Sequence, residues 1–509
     1  MTLIKTSTNG HKFNMENPLL KFFKQSSHYV FAHVIIMFSG FISLPILTRV
    51  FSKSEYGLFS LVGITFWLLL ALSKAGVQES AVRFYGEFKD GKREGGLPEF
   101  FTTLLAGSFL FALITAFLVF ILFRIILKDV LGSDFREMIG LLIVLVISGS
   151  LFMRVMNFLR VEQKTKLLNL ILVIHRYAGL ALGLAFMFLI AKNLQAFFSG
   201  QILTEMIFVT ILIFILIKHG KIDYKSFSIP FLKECLIFGL PLVGFEMANF
   251  LIKTTDRYLI QIFLGAEAVA VYSVGSNICH YFKDAIFSPV LHAVTPLYME
   301  LWNMKGELET RLFISKISSY LLLVTIPIIF GLIALGKQIV VILASEKYVE
   351  ASYVIPFIIP GAVFWGFSPL YAAGLYIHKK TKKLTYILFV GVSVNVVLNI
   401  ILIPIMNLAG AALSTLITYI VLMGLLMSVS VKYLKIRFDI YALLKSVFAS
   451  AIMYFVLINI NYDSGILFLF IKFLIGLITY VSIILLIDKN VRQNVLNVLH
   501  RRFSHVSAM

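Results

Sequence analysis

The stretch FSKSEYGLFSLV (residues 51–62) returns in altered form as FLGAEAVAVYSVG (residues 263–275). Each copy begins with Phe, carries a Glu four residues later, and then reaches an aromatic residue followed by Ser; the second copy has one extra residue. Both copies lie between long apolar runs. The repeat therefore predicts two halves with the same orientation, an arrangement that transporters use to place a substrate site between the halves.

The composition indicates a polytopic membrane protein. Of the 509 residues, 59% are hydrophobic and 14% are charged, and the mean hydropathy is +0.93. A membrane-spanning helix needs about 20 mostly apolar residues, and runs of that length recur along the whole chain. The fold class that we predict is all-α, with about fourteen transmembrane helices and no soluble domain.

The apolar runs divide the chain into two six-span lobes and a final pair of spans. The predicted spans are 28–49, 57–77, 100–123, 138–159, 167–191, 197–217, 236–264, 268–298, 313–336, 353–377, 385–405, 408–430, 443–460 and 465–487. The predicted units are an N-terminal tail (1–27), an N-lobe (28–217), an inter-lobe linker (218–235), a C-lobe (236–430), spans 13–14 (431–487) and a C-terminal tail (488–509).

The basic residues predict the orientation. With both termini inside, 30 of the 45 Lys and Arg residues fall in the tails and inner loops and eight fall outside. By the positive-inside rule both termini are expected in the cytoplasm, with the protein in the bacterial plasma (inner) membrane. The cations are spread over many loops, which argues against a nucleic-acid partner.

Three further features have structural interpretations. Residues 1–27 lack the pattern of a cleaved signal peptide. Cys235 and Cys279 are expected to pack as small hydrophobic residues without a disulfide. The charged segment 78–99 is expected to form an amphipathic interfacial helix that ends near Gly91.

Three stretches carry a family resemblance: LTRVFSKSEYGLFSL (47–61), AGVQESAVRFYGE (75–87) and TTDRYLIQIFLGAEAVAVYSVG (254–275). They resemble the polysaccharide transporter, or O-antigen flippase (Wzx-like), family of the multidrug/oligosaccharidyl-lipid/polysaccharide (MOP) exporter superfamily. The resemblance implies a V-shaped pair of six-helix lobes that alternate access to a central cavity. It also implies transfer of an undecaprenyl-pyrophosphate-linked oligosaccharide to the outer leaflet. By analogy with lipid II flippases, spans 13 and 14 would form a groove for the lipid tail.

The charges within spans are the candidate site residues, because an ion at the bilayer centre must face protein or water. In FEMANFLIKTTDRYLIQIFLG (245–265), Glu246, Lys253 and Arg257 share one helical stripe, and Asp256 lies off it. The functional interpretation is a cavity wall whose cations bind pyrophosphate. The alternative is a Lys253 ion pair with Asp256 or Glu246, with Arg257 reaching outward to the membrane surface.

Spans 5 and 8 add two more cations. Lys283 in span 8 is a second candidate for pyrophosphate, or else forms a local pair with Asp284 near His280. Arg176, beside His175 in span 5, is the N-lobe candidate. The predicted substrate-binding residues are therefore Arg176, Lys253, Arg257 and Lys283. Lys74 and Arg154 are expected to reach lipid phosphates instead, and Lys472 to touch lipid or a tail groove.

Buried carboxylates are candidates for ion coupling, since burial favours proton uptake. They are Glu205, Glu246, Asp256 and Asp284. The competing explanation is charge balance with nearby cations, and Glu205 is the acid with no evident basic neighbour. No cofactor or metal site is expected, apart from H⁺ or Na⁺ as a coupling ion.

The leading hypothesis is a flippase for surface polysaccharide (O-antigen, capsule or exopolysaccharide) assembly. Its expected partners are the lipid-linked oligosaccharide, membrane lipids, and the polymerase and chain-length proteins of the pathway. The alternatives are a cation-coupled MATE-type multidrug exporter, a lipid II-type flippase, and a membrane polysaccharide polymerase. We expect no enzymatic activity, because the loops are too short to fold around catalytic residues.

Overall fold

The computed structural model describes residues 35–122, 132–460, 465–489 and 491–493. Over these ranges the chain is helical and contains no β-strand. Several predictions lie outside the described residues: the N-terminal tail, the start of span 1, the external cations Arg124 and Lys128, and most of the C-terminal tail.

The first bundle is built from the helices that precede residue 219. They are α1 (Ile35–Val50), α2 (Lys53–Ser73), α3 (Val77–Lys89), α4 (Gly96–Ile121), α5 (Ser133–Glu137), α6 (Ile139–Val161), α7 (Thr165–Leu189) and α8 (Leu194–Lys218). A short 3₁₀ turn, Tyr224–Ser226, leads from this bundle into the next helix.

The second bundle and the final helix pair follow. They comprise α9 (Ile229–Leu264), α10 (Ala266–Leu343), a 3₁₀ segment (Glu346–Tyr353), α11 (Ile355–Gly366), α12 (Ser368–Tyr371), α13 (Ala373–Ile377), α14 (Thr381–Ser430), α15 (Ile440–Asn459) and α16 (Ile466–Ile487). Helices α15 and α16 pack on each other and against α10.

Eleven helical stretches within the described ranges are long and apolar enough to cross a membrane, counting α11–α13 (Ile355–Ile377) as one, which confirms a multi-pass protein. Two of them are interrupted by a residue with positive φ: α10 at Gly306 (φ 78°) and α14 at Asn407 (φ 52°). Each interruption divides its helix into two consecutive segments. These divisions and the shorter helix α1 are compatible with fourteen spans, but the total stays a prediction.

The amphipathic helix predicted in the charged segment is confirmed, and predicted span 10 is interrupted. Helix α3 forms within the charged segment 78–99 and buries one face, on which Val77, Ala81, Phe84 and Phe88 follow the spacing of an amphipathic helix. Span 10 is broken into α11, α12 and α13, and the first break falls just before Pro369, which cannot donate a helical hydrogen bond.

The two copies of the repeat meet in space. The matched serines, Ser60 on α2 and Ser273 on α10, hydrogen-bond to each other at 2.7 Å. Nearby, Gly57 lies so close to the start of α10 that a Cβ there would sit 1.9 Å from the Ala266 carbonyl oxygen. The repeated segments therefore form a direct contact between the lobes.

Helix α9 contributes to two separate cores. Phe231 and Cys235 join a cluster with α3, α4 and α6, whereas Ala248 and Ile252 join the large core shared with α10. The helix begins at Ile229, inside the predicted linker, and it is 36 residues long. Its first turns therefore pack beneath the first lobe. Both cysteines are buried and free, as expected.

Candidate functional site

A cavity of about 610 Å³ lies between the two bundles. Helices α1, α2, α6, α7 and α8 supply most of its wall, and α9 and α10 close it from the second bundle. Most lining side chains are apolar. The polar side chains that could orient a ligand are His175, Arg176, Gln201, Glu205, Arg257 and Asn277.

Arg176 places a cation on the first-lobe wall. It projects from α7 and donates a 2.7 Å hydrogen bond from Nε to Ser39 Oγ on α1. Ser39 in turn donates to the Ile36 carbonyl at 2.6 Å, so its hydroxyl is oriented to accept. Arg176 forms no salt bridge with an acid in the described part of the chain, which leaves its charge available to a ligand.

Arg257 places a second cation on the opposite wall. It is only 6% exposed, and its guanidinium donates to Ser273 Oγ at 3.1 Å, Ser276 Oγ at 3.2 Å and Asn277 Oδ1 at 3.4 Å. A further bond runs from Nη1 to the Lys253 carbonyl at 3.1 Å. The alternative in which Arg257 reaches outward is therefore wrong. All these acceptors are neutral, and no carboxylate within the described residues forms a salt bridge with the guanidinium, although the neighbouring Asp256 interacts with it electrostatically.

Lys253 and Lys283 do not line this cavity. Lys283 Nζ lies 2.5 Å from Asp284 Oδ1, which is the local pair considered as the alternative. Lys253 is exposed on α9 and interacts electrostatically with Lys283 and Asp284. The structure thus groups these two lysines apart from the two arginines, and their role in binding stays a prediction.

Two carboxylates have partners that the sequence did not indicate. Glu246 Oε1 lies 2.5 Å from Lys74 Nζ, so the expected Lys253–Glu246 pair is wrong, as is the expected contact of Lys74 with lipid. Asp256 is 3% exposed and accepts a 2.5 Å bond from the Tyr272 hydroxyl and a 2.8 Å bond from the Arg257 backbone N–H. The expected Lys253–Asp256 pair is therefore also absent.

Glu205 has a neighbour that the sequence analysis missed. His175 Nε2 lies 3.6 Å from Glu205 Oε1, and the imidazole stacks on Phe152 with ring centroids 3.9 Å apart. The second carboxylate oxygen, Glu205 Oε2, is buried without a hydrogen-bond partner. This pair lines the same cavity as Arg176 and Arg257, so one chamber contains two guanidinium groups and a buried carboxyl group beside a histidine.

The prediction that Arg154 reaches lipid phosphates is corrected, and Lys472, expected to touch lipid or a tail groove, is buried. Arg154 is 2% exposed and donates to Ser108 Oγ at 2.5 Å, so it points into the first lobe and not toward lipid phosphates. Lys472 is 7% exposed and shares the inward face of α16 with Gly476 and Tyr480. Both are held by helix packing, which the distance of a residue from a span end does not reveal.

Contacts between the lobes lie at both ends of the cavity. At the end that is predicted to face outward, Arg49 donates to the Ile342 carbonyl at 2.8 Å, and Lys347 donates to the Phe51 carbonyl at 2.5 Å. At the opposite end, beyond the Lys74–Glu246 pair, the backbones of Gly76 and Gly239 touch. The cavity therefore lies between two sets of inter-lobe contacts.

Each outer contact places a cation at a helix C-terminus of the other lobe. Phe51 directly follows α1, and Ile342 lies in the last turn of α10. The last carbonyls of a helix lack intrahelical donors and carry the negative end of its dipole. We call the pair Arg49–Ile342 and Lys347–Phe51 the outer latch.

Two helical bundles around a central chamber define a membrane transporter fold, and solved structures share it. A structure described as lipid II flippase MurJ in an inward closed conformation superposes with a TM-score of 0.75 at 18% identity, covering 92% of this chain and 99% of that chain. A mutant of the Vibrio cholerae MATE transporter VcmN gives a TM-score of 0.59 at 12% identity, covering 81% of this chain and 97% of that one. The chain shares its fold with these two transporters.

Residues 46–353, well over half of the chain, match the family described as polysaccharide biosynthesis protein, and the chain belongs to that family. An uncharacterized membrane protein in a cps region of Klebsiella pneumoniae is 21% identical over 333 residues, 65% of each chain. The uncharacterized membrane protein MJ1068 of Methanocaldococcus jannaschii is 26% identical over 223 residues, 41% of this chain and 43% of the relative. The matched regions thus span less than two thirds of either relative. The recognition made from the sequence is confirmed.

Proposed function

We propose that the protein is a flippase for a lipid-linked oligosaccharide used in polysaccharide biosynthesis. The observation that carries this proposal is the pair of guanidinium groups, Arg176 and Arg257, on opposite walls of one cavity. An arginine fork suits a phosphate oxygen geometrically, and two forks that form no salt bridge with an acid in the described residues suit a pyrophosphate. Membership of a polysaccharide biosynthesis family supports a glycan-bearing substrate.

Because the two arginines belong to different lobes, a bound pyrophosphate would link the lobes. Loading it requires the inner contacts to open, and releasing it requires the outer latch to open. The cavity of about 610 Å³ falls within the range of about 300–1,000 Å³ typical of small-ligand sites. A larger oligosaccharide is accommodated as the lobes separate, while the polyprenyl tail stays in the membrane.

In this proposal, the substrate is an undecaprenyl-pyrophosphate-linked repeat unit that moves from the inner to the outer leaflet of the plasma membrane. Glu205 is the coupling group that responds to an H⁺ gradient, since its free carboxylate oxygen and the neighbouring His175 lie in the same chamber. Lys253 and Lys283 would meet the head group at a separate point along its path.

The test uses purified protein in proteoliposomes that contain a fluorescent undecaprenyl-pyrophosphate-linked oligosaccharide. A membrane-impermeant quencher reports the fraction of label that has crossed the bilayer. Arg176→Gln and Arg257→Gln should each abolish transfer, and Arg160→Gln, a matched change at an exposed arginine outside the cavity, should not. Transfer at the wild-type rate by both cavity variants would rule out the proposed pyrophosphate site.

A cation-coupled multidrug exporter is the second candidate, and Glu205 in an aromatic-lined cavity is the observation that favours it. A deletion strain separates the two functions. Loss of surface glycan with unchanged drug sensitivity supports the flippase, whereas drug sensitivity with intact glycan supports the exporter. Formation of new glycosidic bonds by the purified protein would instead identify the polymerase.

A further inference from the structure

Two basic loops come together on the second bundle, at the face that is predicted to be cytoplasmic. Residues 378–380 join α13 to α14, residues 381–383 form the first turn of α14, and residues 431–437 follow α14. Lys383 Nζ donates a 2.8 Å hydrogen bond to the Tyr433 hydroxyl, which connects the loops. We call them the paired basic loops; their cations are Lys379, Lys380, Lys382, Lys383, Lys432, Lys435 and Arg437.

These cations are exposed, and none of them forms a salt bridge within the described ranges of the chain. Neither loop contains an Asp or Glu between its first and last residue. The segment 78–99 on the same predicted face differs, because there Arg93 binds Glu234 through two bonds of 2.7 and 2.8 Å and Glu87 through one of 2.8 Å. The positive-inside rule requires cations on this face, but it does not require an acid-free cluster.

Several of these lysines act on one side chain, Tyr433. The hydrogen bond from Lys383, together with the charges of Lys380 and Lys432, holds the pKa of Tyr433 below its ordinary value. The Tyr433 ring lies 5.5 Å from the His378 ring, and His378 lies 5.3 Å from Trp302. Aromatic rings beside cations at helix ends are typical of the head-group level of a membrane.

We propose that the paired basic loops bind the phosphate groups of anionic phospholipids in the leaflet on that side. Clusters of four to eight cations immediately beyond a membrane helix attract anionic lipids. The first loop lies between α13 and the first segment of α14, and the second loop follows the second segment, so their side chains are at the depth of the lipid phosphates. None of these cations lines the cavity between the lobes, so the site is separate from the proposed substrate site.

The test measures binding of short-chain phosphatidylglycerol to the purified full-length chain in neutral phosphatidylcholine nanodiscs, followed by native mass spectrometry. The triple variant Lys380→Gln, Lys383→Gln and Lys432→Gln should lower the apparent affinity at least about tenfold. The matched triple, Lys218→Gln, Lys225→Gln and Lys233→Gln, removes the same charge from exposed lysines of the predicted inter-lobe linker (218–235), on the same predicted face. It should change the affinity by less than about twofold.

Two additional binding measurements separate loss of charge from misfolding, and lipid binding from binding of free phosphate. The charge-preserving triple of Lys→Arg changes should retain phosphatidylglycerol binding, which shows that charge is responsible even if the Gln variant folds poorly. Inorganic phosphate at millimolar concentration should not displace the lipid, since the loops bind a membrane surface. Equal affinity losses in both Gln triples, no loss in the first, or full displacement by inorganic phosphate would each overturn the proposal.

Discussion

Removing the outer latch should shift the protein toward a conformation that is open at the predicted outer end. The perturbation is the double variant Arg49→Gln and Lys347→Gln, which removes the two cations while keeping polar side chains. In the structure they donate to carbonyls of the opposite lobe at 2.8 and 2.5 Å. A net hydrogen bond of this kind contributes about 0.5–1.5 kcal/mol. Loss of both is therefore expected to change the closed-to-open ratio by about 5- to 150-fold.

The assay is the reactivity of a cavity cysteine toward a membrane-impermeant maleimide added from outside. Gln201→Cys supplies the probe in the cavity wall, after Cys235 and Cys279 have been replaced by Ala. The double variant should label at least about fivefold faster than the parent. Lys337→Gln, at an exposed lysine with no lobe contact in the described structure, should label like the parent. Unchanged labelling in the double variant would refute the latch.

Three further predictions concern other contacts between and within the lobes. Lys74→Met should lower the melting temperature by a few degrees, because it leaves the half-buried Glu246 without its partner. The charge swap Lys74→Glu with Glu246→Lys should recover most of that loss, and a melting temperature unaffected by Lys74→Met would contradict the prediction. Gly239→Ala should block function or folding, because its Cβ would lie 2.1 Å from the Gly76 carbonyl oxygen. Gly86→Ala, at an exposed helical position outside the cavity with no atom within 4 Å, should be tolerated in the same transport and expression measurements. In proteoliposomes, Glu205→Gln should make the rate of lipid transfer insensitive to an imposed pH gradient without preventing substrate binding. If a pH gradient changes the transfer rate of this variant as much as that of the wild type, Glu205 is not the coupling group.

The helical class, the multi-pass arrangement and the repeat follow from the sequence because they depend on local hydropathy and on short motifs. The meeting of Ser60 and Ser273 does not follow from the repeat alone, because matched positions of two related repeats meet only where they lie close to the axis that relates them. Helix α3, in contrast, follows from the spacing of its apolar residues, which is a property of a single helix.

The hydrogen-bond and ion-pair partners of the buried charges could not be predicted from the sequence, because they lie on helices that are distant along the chain. The stripe of Glu246, Lys253 and Arg257 is correct as helix geometry, yet α9 turns Arg257 into the cavity and presents Glu246 to Lys74 of the other lobe. The His175–Glu205 pair did have a signal: the two residues lie at similar distances from the turn between the antiparallel helices α7 and α8.

The most direct measurement is transfer of a fluorescent undecaprenyl-pyrophosphate-linked oligosaccharide in proteoliposomes, compared among wild type, Arg176→Gln, Arg257→Gln and Arg257→Lys. The proposed mechanism predicts rapid transfer by the wild type, none by either Gln variant, and partial transfer by Arg257→Lys, because lysine keeps the charge but loses the fork. Wild-type protein that leaves the labelled lipid in its original leaflet, while the same preparation is folded, would contradict the assignment of flippase activity.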